Sequence, residues 1–443
     1  MGLMNFLKGV WGRLFPIKDI KTALNVKIAL TETMLNNIQL WQNCYCGNAP
    51  WLNENKGVIS LRLEKAITRE FSNIVMNEMT VNIDNDRLNE LYIKAIDDIY
   101  TELPSGLGTG AMIIKPLGED KVQYLSADEF IPVEYDTEGR LLKVIFPDFK
   151  KIGDTFYTRL EFHSLDETGL TITNTAYMSS NESNLGREVP LTCVDEWKNI
   201  PPVISYPLMK KQAFGYYRNP IKNTIDKSKT GVSIFESALE LIKKADEQFG
   251  RLDWEFESGE RAIYADETVV KKGRVARLKD RLFKTGDFDG GSSGDFFKEF
   301  SPQLRQSDYK EGLNEYKREI EFVVGLSYGD ISDPSQIEKT AEEVKTAKKR
   351  KYNTVTAIQN NLQICLEELV YALAFYNSMA TVNYNFACTF KDSILVDEET
   401  ERKQDIQDVN MGVMSKAEYR AKWYGEDEET AKSRLPENSD VIE

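Results

Sequence analysis

Several stretches of this 443-residue chain carry residue types that could do chemistry. The only histidine is His163, so His-rich zinc sites are excluded and Ser–His or Cys–His nucleophilic catalysis hangs on one side chain. It sits in the strand-like run TFYTRLEFHSL, which predicts a strand histidine with satisfied hydrogen bonds. Cys44-x-Cys46 has no second pair at zinc spacing and reads as structural. The glycines of LPSGLGTGAMIIK (Gly106, Gly108, Gly110) resemble a phosphate loop only loosely. A Walker A loop ends in Gly-Lys-Ser/Thr, and here Lys115 comes too late. Nor is the dinucleotide spacing G-x-G-x-x-G present between a strand and a helix. The reading is a tight turn that opens a strand. DFDGGSSGDFFK begins like a calcium loop from Asp287, but Ser292 and Lys298 stand where Gly and Glu are required, so it reads as a flexible exposed loop. The carboxylates of DEETERKQD and GEDEETAK alternate with cations at helical spacing, the pattern of solvated helix faces. No acid–base pair, metal ligand set or cofactor site is expected.

Two features survive this screening. One is the segment GLSYGDISDP (325–334), which breaks a helical pattern with Gly325, Gly329 and Pro334 immediately before a much longer helix. The other is a basic cluster, Lys345, Lys348, Lys349, Arg350 and Lys351, near the start of that helix. Like charges so close repel one another. They read either as a solvated surface balanced by Glu342 and Glu343 or as a positive belt facing a polyanion.

Totals bound the class. A formal charge of −15 argues against a protein that grips nucleic acid over its whole surface. The hydrophobic share of 41% is enough for a real core. The five cysteines, Cys44, Cys46, Cys193, Cys365 and Cys388, are scattered and odd in number, which predicts mostly buried thiols in a reducing compartment. The N-terminal MGLMNFLKGVWGRLFPIKDI is amphipathic but lacks a signal-peptide core, and Phe6 breaks the myristoylation pattern. It is expected to dock on its own protein, and no membrane partner is expected.

The elements that must position these features follow from periodicity. Helical spacing marks 21–46, 60–78 and 85–101. From 109 to 206 the period is two, with turns at 118–120 and 136–139, so this region is mostly β. Helical spacing returns at Ser233, read as an N-cap with Glu236 completing a capping box, and continues through Leu252. A mixed region, 259–305, holds a strand-like RAIYAD. A helix over 307–325 carries Tyr309, Leu313, Tyr316, Ile320 and Val323 on one stripe. After the break, one helix runs from about Glu338 to Ser378, with Ser335 or Thr340 as its cap. The strand TVNYNFACTF and a charged helical tail close the chain.

The order of parts resembles the tailed-bacteriophage portal proteins grouped with that of SPP1, over about residues 20–425. GTGAMIIKPLGEDKVQYLSADEFIPVEYDTEGRLLKVIF is similar to the family's wing strands, and GVSIFESALELIKKADEQF to its first stem helix. The run from YKREIEFVVGLSYGDISDP through QNNLQICLEELV is similar to second stem helix, tunnel loop and long helix in sequence, and DSILVDEETERKQDIQDVNMGVMSKAEYR to the family's end. The resemblance implies an α+β portal fold with a β-rich wing, paired stem helices, a small clip, a long kinked helix and a helical C-terminal crown. It divides the chain into wing (1–225), stem helix (226–258), clip (259–305), second stem helix (306–325), tunnel loop (326–338), long wing helix (339–378), and wing strand with crown (379–443). It implies a non-enzymatic ring, usually of twelve subunits, at one capsid vertex, assembled in the bacterial cytoplasm and retained in the virion. Double-stranded DNA would pass through the ring without sequence specificity during packaging and ejection. The terminase large subunit, the head–tail connector, and the major capsid and scaffolding proteins would be its partners. Ser327, Tyr328, Gly329, Asp330, Ile331, Ser332 and Asp333 would then face DNA, and the basic cluster would face either DNA or a neighbouring subunit. Another virion structural protein or a head–tail adaptor, without a DNA channel, is the alternative.

Overall fold

A computed structural model describes residues 17–53, 55, 57–77, 79–118, 121–207, 209–259, 262–266, 283–286, 297–334, 341–379, 382–390 and 398–435. The amphipathic N-terminus, the proposed caps Ser335 and Thr340, and most of the 287–298 loop therefore lie outside the described residues.

The first third is helical: α1 (Ile17–Leu24), α2 (Glu32–Tyr45), α3 (Leu63–Asn77), α4 (Asp86–Ala95) and α5 (Ile99–Thr109), with the short strand β1 (Met79–Ile83) after α3. The helical spacing over 21–46 is interrupted: Asn25 takes a left-handed conformation (φ 50°), and Thr31 restarts the helix by accepting the Met34 N–H at 3.1 Å. The spacing over 85–101 is likewise split at Ile96, and α5 extends to Thr109.

That extension corrects the reading of LPSGLGTG as a tight turn. Gly106 and Gly108 are helical, and Gly110 (φ 101°) is the left-handed C-cap, its N–H reaching Gly106 O at 2.9 Å. A side chain at Gly110 would also collide with the backbone of Gly231, whose own Cβ would lie 2.0 Å from Gly110 O. The glycines serve a helix end and a close backbone crossing; sequence spacing alone does not separate that from a turn.

The period-two region forms the expected strands and is joined by a further one beyond residue 206, over 215–218. A three-stranded sheet has the order β10 (Gly215–Arg218), β2 (Ala111–Pro116), β3 (Val122–Ser126). A six-stranded antiparallel sheet runs β4 (Ile131–Tyr135), β5 (Leu141–Ile152), β6 (Thr155–Asp166), β7 (Gly169–Ser179) and β8 (Arg187–Val189), with β9 (Val203–Tyr206) also on β7. Next comes α6 (Leu239–Ser258), preceded by a 3₁₀ turn over Glu236–Ala238. The capping box expected at Ser233 is absent: its Oγ accepts only the Phe235 N–H, at 3.3 Å, and the α6 N-cap position is Ala238. A capping box occurs instead at Ser415 and Glu418. RAIYAD supplies β11 (Ala262–Asp266), which lies between β12 (Phe283–Gly286) and β13 (Phe297–Phe300).

Helix α7 (Gln306–Val324) packs against α6, and α8 (Ala341–Tyr376) follows the break. Its 36 residues span about 54 Å at 1.5 Å each. The stripe Val355, Ile358, Leu362, Cys365, Leu369 and Leu373 is buried and packs on β10, β2, α3 and α4, which makes α8 the spine of the main core. Strand β14 (Phe386–Phe390) pairs antiparallel with β1, more than 300 positions earlier (Met79 opposite Phe390), and α9 (Glu398–Asn410), α10 (Lys416–Tyr424) and α11 (Glu428–Ser433) end the described chain. Apolar residues from Ile17 to Phe386 thus share one core, and the whole is an α+β fold.

One core residue is out of character. Glu64, at the start of α3, is fully buried, and its carboxyl oxygens find no hydrogen-bond partner among the described residues. Burial, reinforced by the nearby Asp246 carboxylate, pushes its pKa from an ordinary 4.5 up to about 7. The folded chain therefore holds a proton that the unfolded chain releases, and Glu64 weakens the fold as pH rises from about 4.5 through 7. Glu64→Gln should leave stability unchanged near pH 4 and raise it relative to the parent by up to roughly 3 kcal/mol at pH 8. Denaturant titrations at the two pH values measure this; a pH-independent difference would contradict it.

Candidate functional site

Helices α6 and α7 form an antiparallel pair fastened at one end by a forked contact. Arg305 Nε and Nη2 donate to Glu255 Oε1 and Oε2 at 3.2 and 2.8 Å, and the Arg305 backbone N–H adds a third bond at 3.1 Å. These hydrogen bonds to Arg305 hold the Glu255 carboxyl below the usual carboxylate range.

At the other end α7 stops at Gly325 (φ 88°), whose N–H returns to Glu321 O at 3.1 Å. Glycine is required twice over, since a Cβ there would also lie 2.5 Å from Thr354 Oγ1 on α8. The chain then folds over the last turn of α7. The Glu321 carboxylate, fully buried, accepts the N–H groups of Gly329 (3.1 Å), Ile331 (2.6 Å) and Ser332 (2.8 Å) and the Ser332 hydroxyl (2.8 Å). Asn314 Oδ1, two helical turns earlier on the same face, accepts the Asp333 N–H at 2.7 Å. Asp330 turns inward as well: its Oδ2 accepts the Ser327 N–H at 2.8 Å and meets Lys351 Nζ at 2.9 Å.

The seven candidate DNA-facing residues are thus brought together in one compact turn. Ser332 is buried, Ser327 through Ile331 are half-buried, and Asp333 is exposed. Ile331 packs on the main core beside the buried Leu326. Gly329 takes φ 96°, which the reversal needs.

The basic cluster divides. Lys351 is only 12% exposed and bridges Asp330 to Glu70 on α3 (3.4 Å). The Arg350 guanidinium lies 4.5 Å from the Phe322 ring centroid and 5.7 Å from that of Tyr328, so it stacks at the α7–turn junction. Lys348 and Lys349 are exposed. Lys345 lies on the same helix, with its side chain outside the described residues. Glu321, Asn314 and Glu70 were not singled out from sequence. The one signal was the seven-residue spacing of two polar residues, Asn314 and Glu321, each next to a member of the α7 apolar stripe.

His163 lies in β6 with no solvent exposure, and its Nε2 is 2.7 Å from Glu161 Oε1. Burial lowers its pKa in spite of Glu161, so the ring is neutral and donates to the carboxylate. Glu161 also binds Lys115 at 2.5 Å and Arg159 at 3.0 Å. Although burial opposes it, the Lys115 charge holds Glu161 well below its ordinary range. Cys44 is buried and Cys46 exposed, and among the described residues no three His, Cys, Asp or Glu side chains are grouped to hold a metal ion. No described helix is long and apolar enough to cross a membrane.

The sequence profile of a family described as phage portal protein, SPP1 Gp6-like, matches residues 108–440, from the end of α5 through the helix pair, the turn, α8 and the C-terminal helices. A comparison with curated proteins finds no match.

The contact between Lys351 and Asp330 is shielded on both sides, so it should be energetically coupled. In a double-mutant cycle of Lys351→Met and Asp330→Asn, the double variant should be more stable than the sum of the singles predicts by about 1–2 kcal/mol. Additivity within about 0.5 kcal/mol, measured by denaturant unfolding, would mean that the pair contributes nothing specific.

Proposed function

From the premise that this chain belongs to the SPP1 Gp6-like family of phage portal proteins, we propose that it forms the ring through which DNA enters and leaves the capsid. The family is one of virion structural proteins. The observation that carries the reading is the order of parts inside the matched region: an antiparallel helix pair, a fixed turn at its end, then the spine helix α8. On this reading 1–225 is the wing, α6 and α7 are the stem, 259–305 is the clip, 326–338 is the tunnel loop, and the chain after 379 completes wing and crown. Twelve copies surround double-stranded DNA. The clip docks the terminase large subunit and later the head–tail connector, and capsid and scaffolding proteins seat the ring at the vertex. The ring performs no catalysis of its own; the motor supplies it.

Electrostatics supports this assignment. Each copy carries −15, so a ring of twelve carries about −180. A net acidic ring repels DNA non-specifically and lets it slide, while a local pair of exposed cations offsets enough of that repulsion for DNA to pass. In the turn, Lys351 is paired and Arg350 is stacked, so neither presents a free cation. Lys348 and Lys349 are the described members of the cluster exposed enough to meet DNA.

Native mass spectrometry of the purified chain, with negative-stain images of the same sample, should give closed rings of about twelve copies with a central hole. A species that stays monomeric at high concentration would favour the adaptor alternative. In rings carrying Lys348→Glu and Lys349→Glu together, subunit number should be unchanged while DNA packaging falls several-fold; rings that fail to close would instead place the pair at a subunit contact.

A further inference from the structure

The Glu321 carboxylate is unusual in how its charge is balanced. It is fully buried, yet no ion pair to it occurs among the described residues: the nearby cations Lys351 and Arg350 are engaged by Asp330 and by aromatic rings. Its compensation comes from three backbone N–H groups and one hydroxyl, contributed by Gly329, Ile331 and Ser332. Convergent backbone donors of this kind form a concave seat for an oxyanion, of the sort that elsewhere holds a phosphate or carboxylate ligand. Without an anion, the Ile331 and Ser332 N–H groups would lose their acceptor beneath the turn, and Gly329 N–H would keep only Ser332 Oγ at 3.1 Å.

We propose that residues 329–332 are an oxyanion-binding seat whose resident occupant is the chain's own Glu321 carboxylate, and that this occupancy positions the turn. Glu321 is then a positioning residue: it acts through the backbone of 329–332 and need not touch DNA. The site accepts a small carboxylate, because the donors recognise two oxygens carrying a negative charge and ignore the chain that delivers them. Resting on the portal reading, the arrangement has a second consequence. A turn beside the DNA path whose N–H groups are already committed to an internal anion offers a passing phosphate no seat.

The test uses the full-length protein and acetate, which replaces the Cγ and carboxylate removed by Glu321→Ala. Hydrogen exchange is followed by mass spectrometry in peptides spanning 327–333. In the parent, exchange there should be slow and insensitive to acetate. In Glu321→Ala it should accelerate about tenfold or more, and excess acetate should restore protection while acetamide, the same shape without the charge, should not. Glu321→Gln keeps the packing and should accelerate exchange too, which keeps the test open if the alanine variant folds poorly. Unchanged exchange in both variants, or rescue by acetamide as effective as by acetate, would overturn the proposal. Exchange is read whether or not rings or DNA are present, so failure of the portal reading leaves this test intact.

Discussion

A buried negative charge with no cationic partner is among the hardest things for a fold to accommodate, and among the described residues Glu321 is one. The solution found here dictates much of what surrounds it. Three N–H groups can reach one carboxylate only if the chain reverses tightly after α7, which requires Gly325 and Gly329 in the left-handed region. The reversal delivers Asp330 to Lys351 and Tyr328 to Arg350. Those contacts fix the N-terminal part of α8, whose later turns carry Val355 through Leu373 into the core. One carboxylate thus links the α6–α7 pair to the spine of the molecule.

The same linkage changes how the basic cluster should be regarded. Five cations in seven residues look like a belt when written as sequence. On the helix their directions diverge: Lys351 points between α3 and the turn, Arg350 covers Phe322 and Tyr328, and Lys348 and Lys349 face outward. Much of the apparent positive charge is consumed in fastening the turn. This is consistent with the proposed DNA channel, since fixed polar groups with internal partners do not compete for phosphate.

The broad plan was legible because it rests on periodicity. The change from period two to helical spacing before α6, the stripe of α7 and the long stripe of α8 each mark an apolar face; α8 buries its stripe from Val355 to Leu373, and α7 buries Leu313 and Ile320 but leaves Val323 exposed. What was not legible depends on partners distant in sequence. Gly106 and Gly108 look like turn residues until Met112, Tyr45 and Phe235 are packed around them. Ser233 with Glu236 has the letters of a capping box, but the chain there makes a 3₁₀ turn and Ser233 is buried. At the candidate site, the turn residues could be named from their glycines and proline. Glu321 could not, because a glutamate on an amphipathic helix ordinarily faces water, and only the fold of the following ten residues shows that this one does not.

The most direct test of the account is a cryo-electron microscopy reconstruction of the assembled ring. The account predicts that the turns 327–333 of successive subunits line the inner wall at its narrowest level, each seated on its own Glu321, with Lys348 and Lys349 toward the hole. A ring with these turns on its outer perimeter, or with the 329–332 backbone lifted away from Glu321, would contradict it.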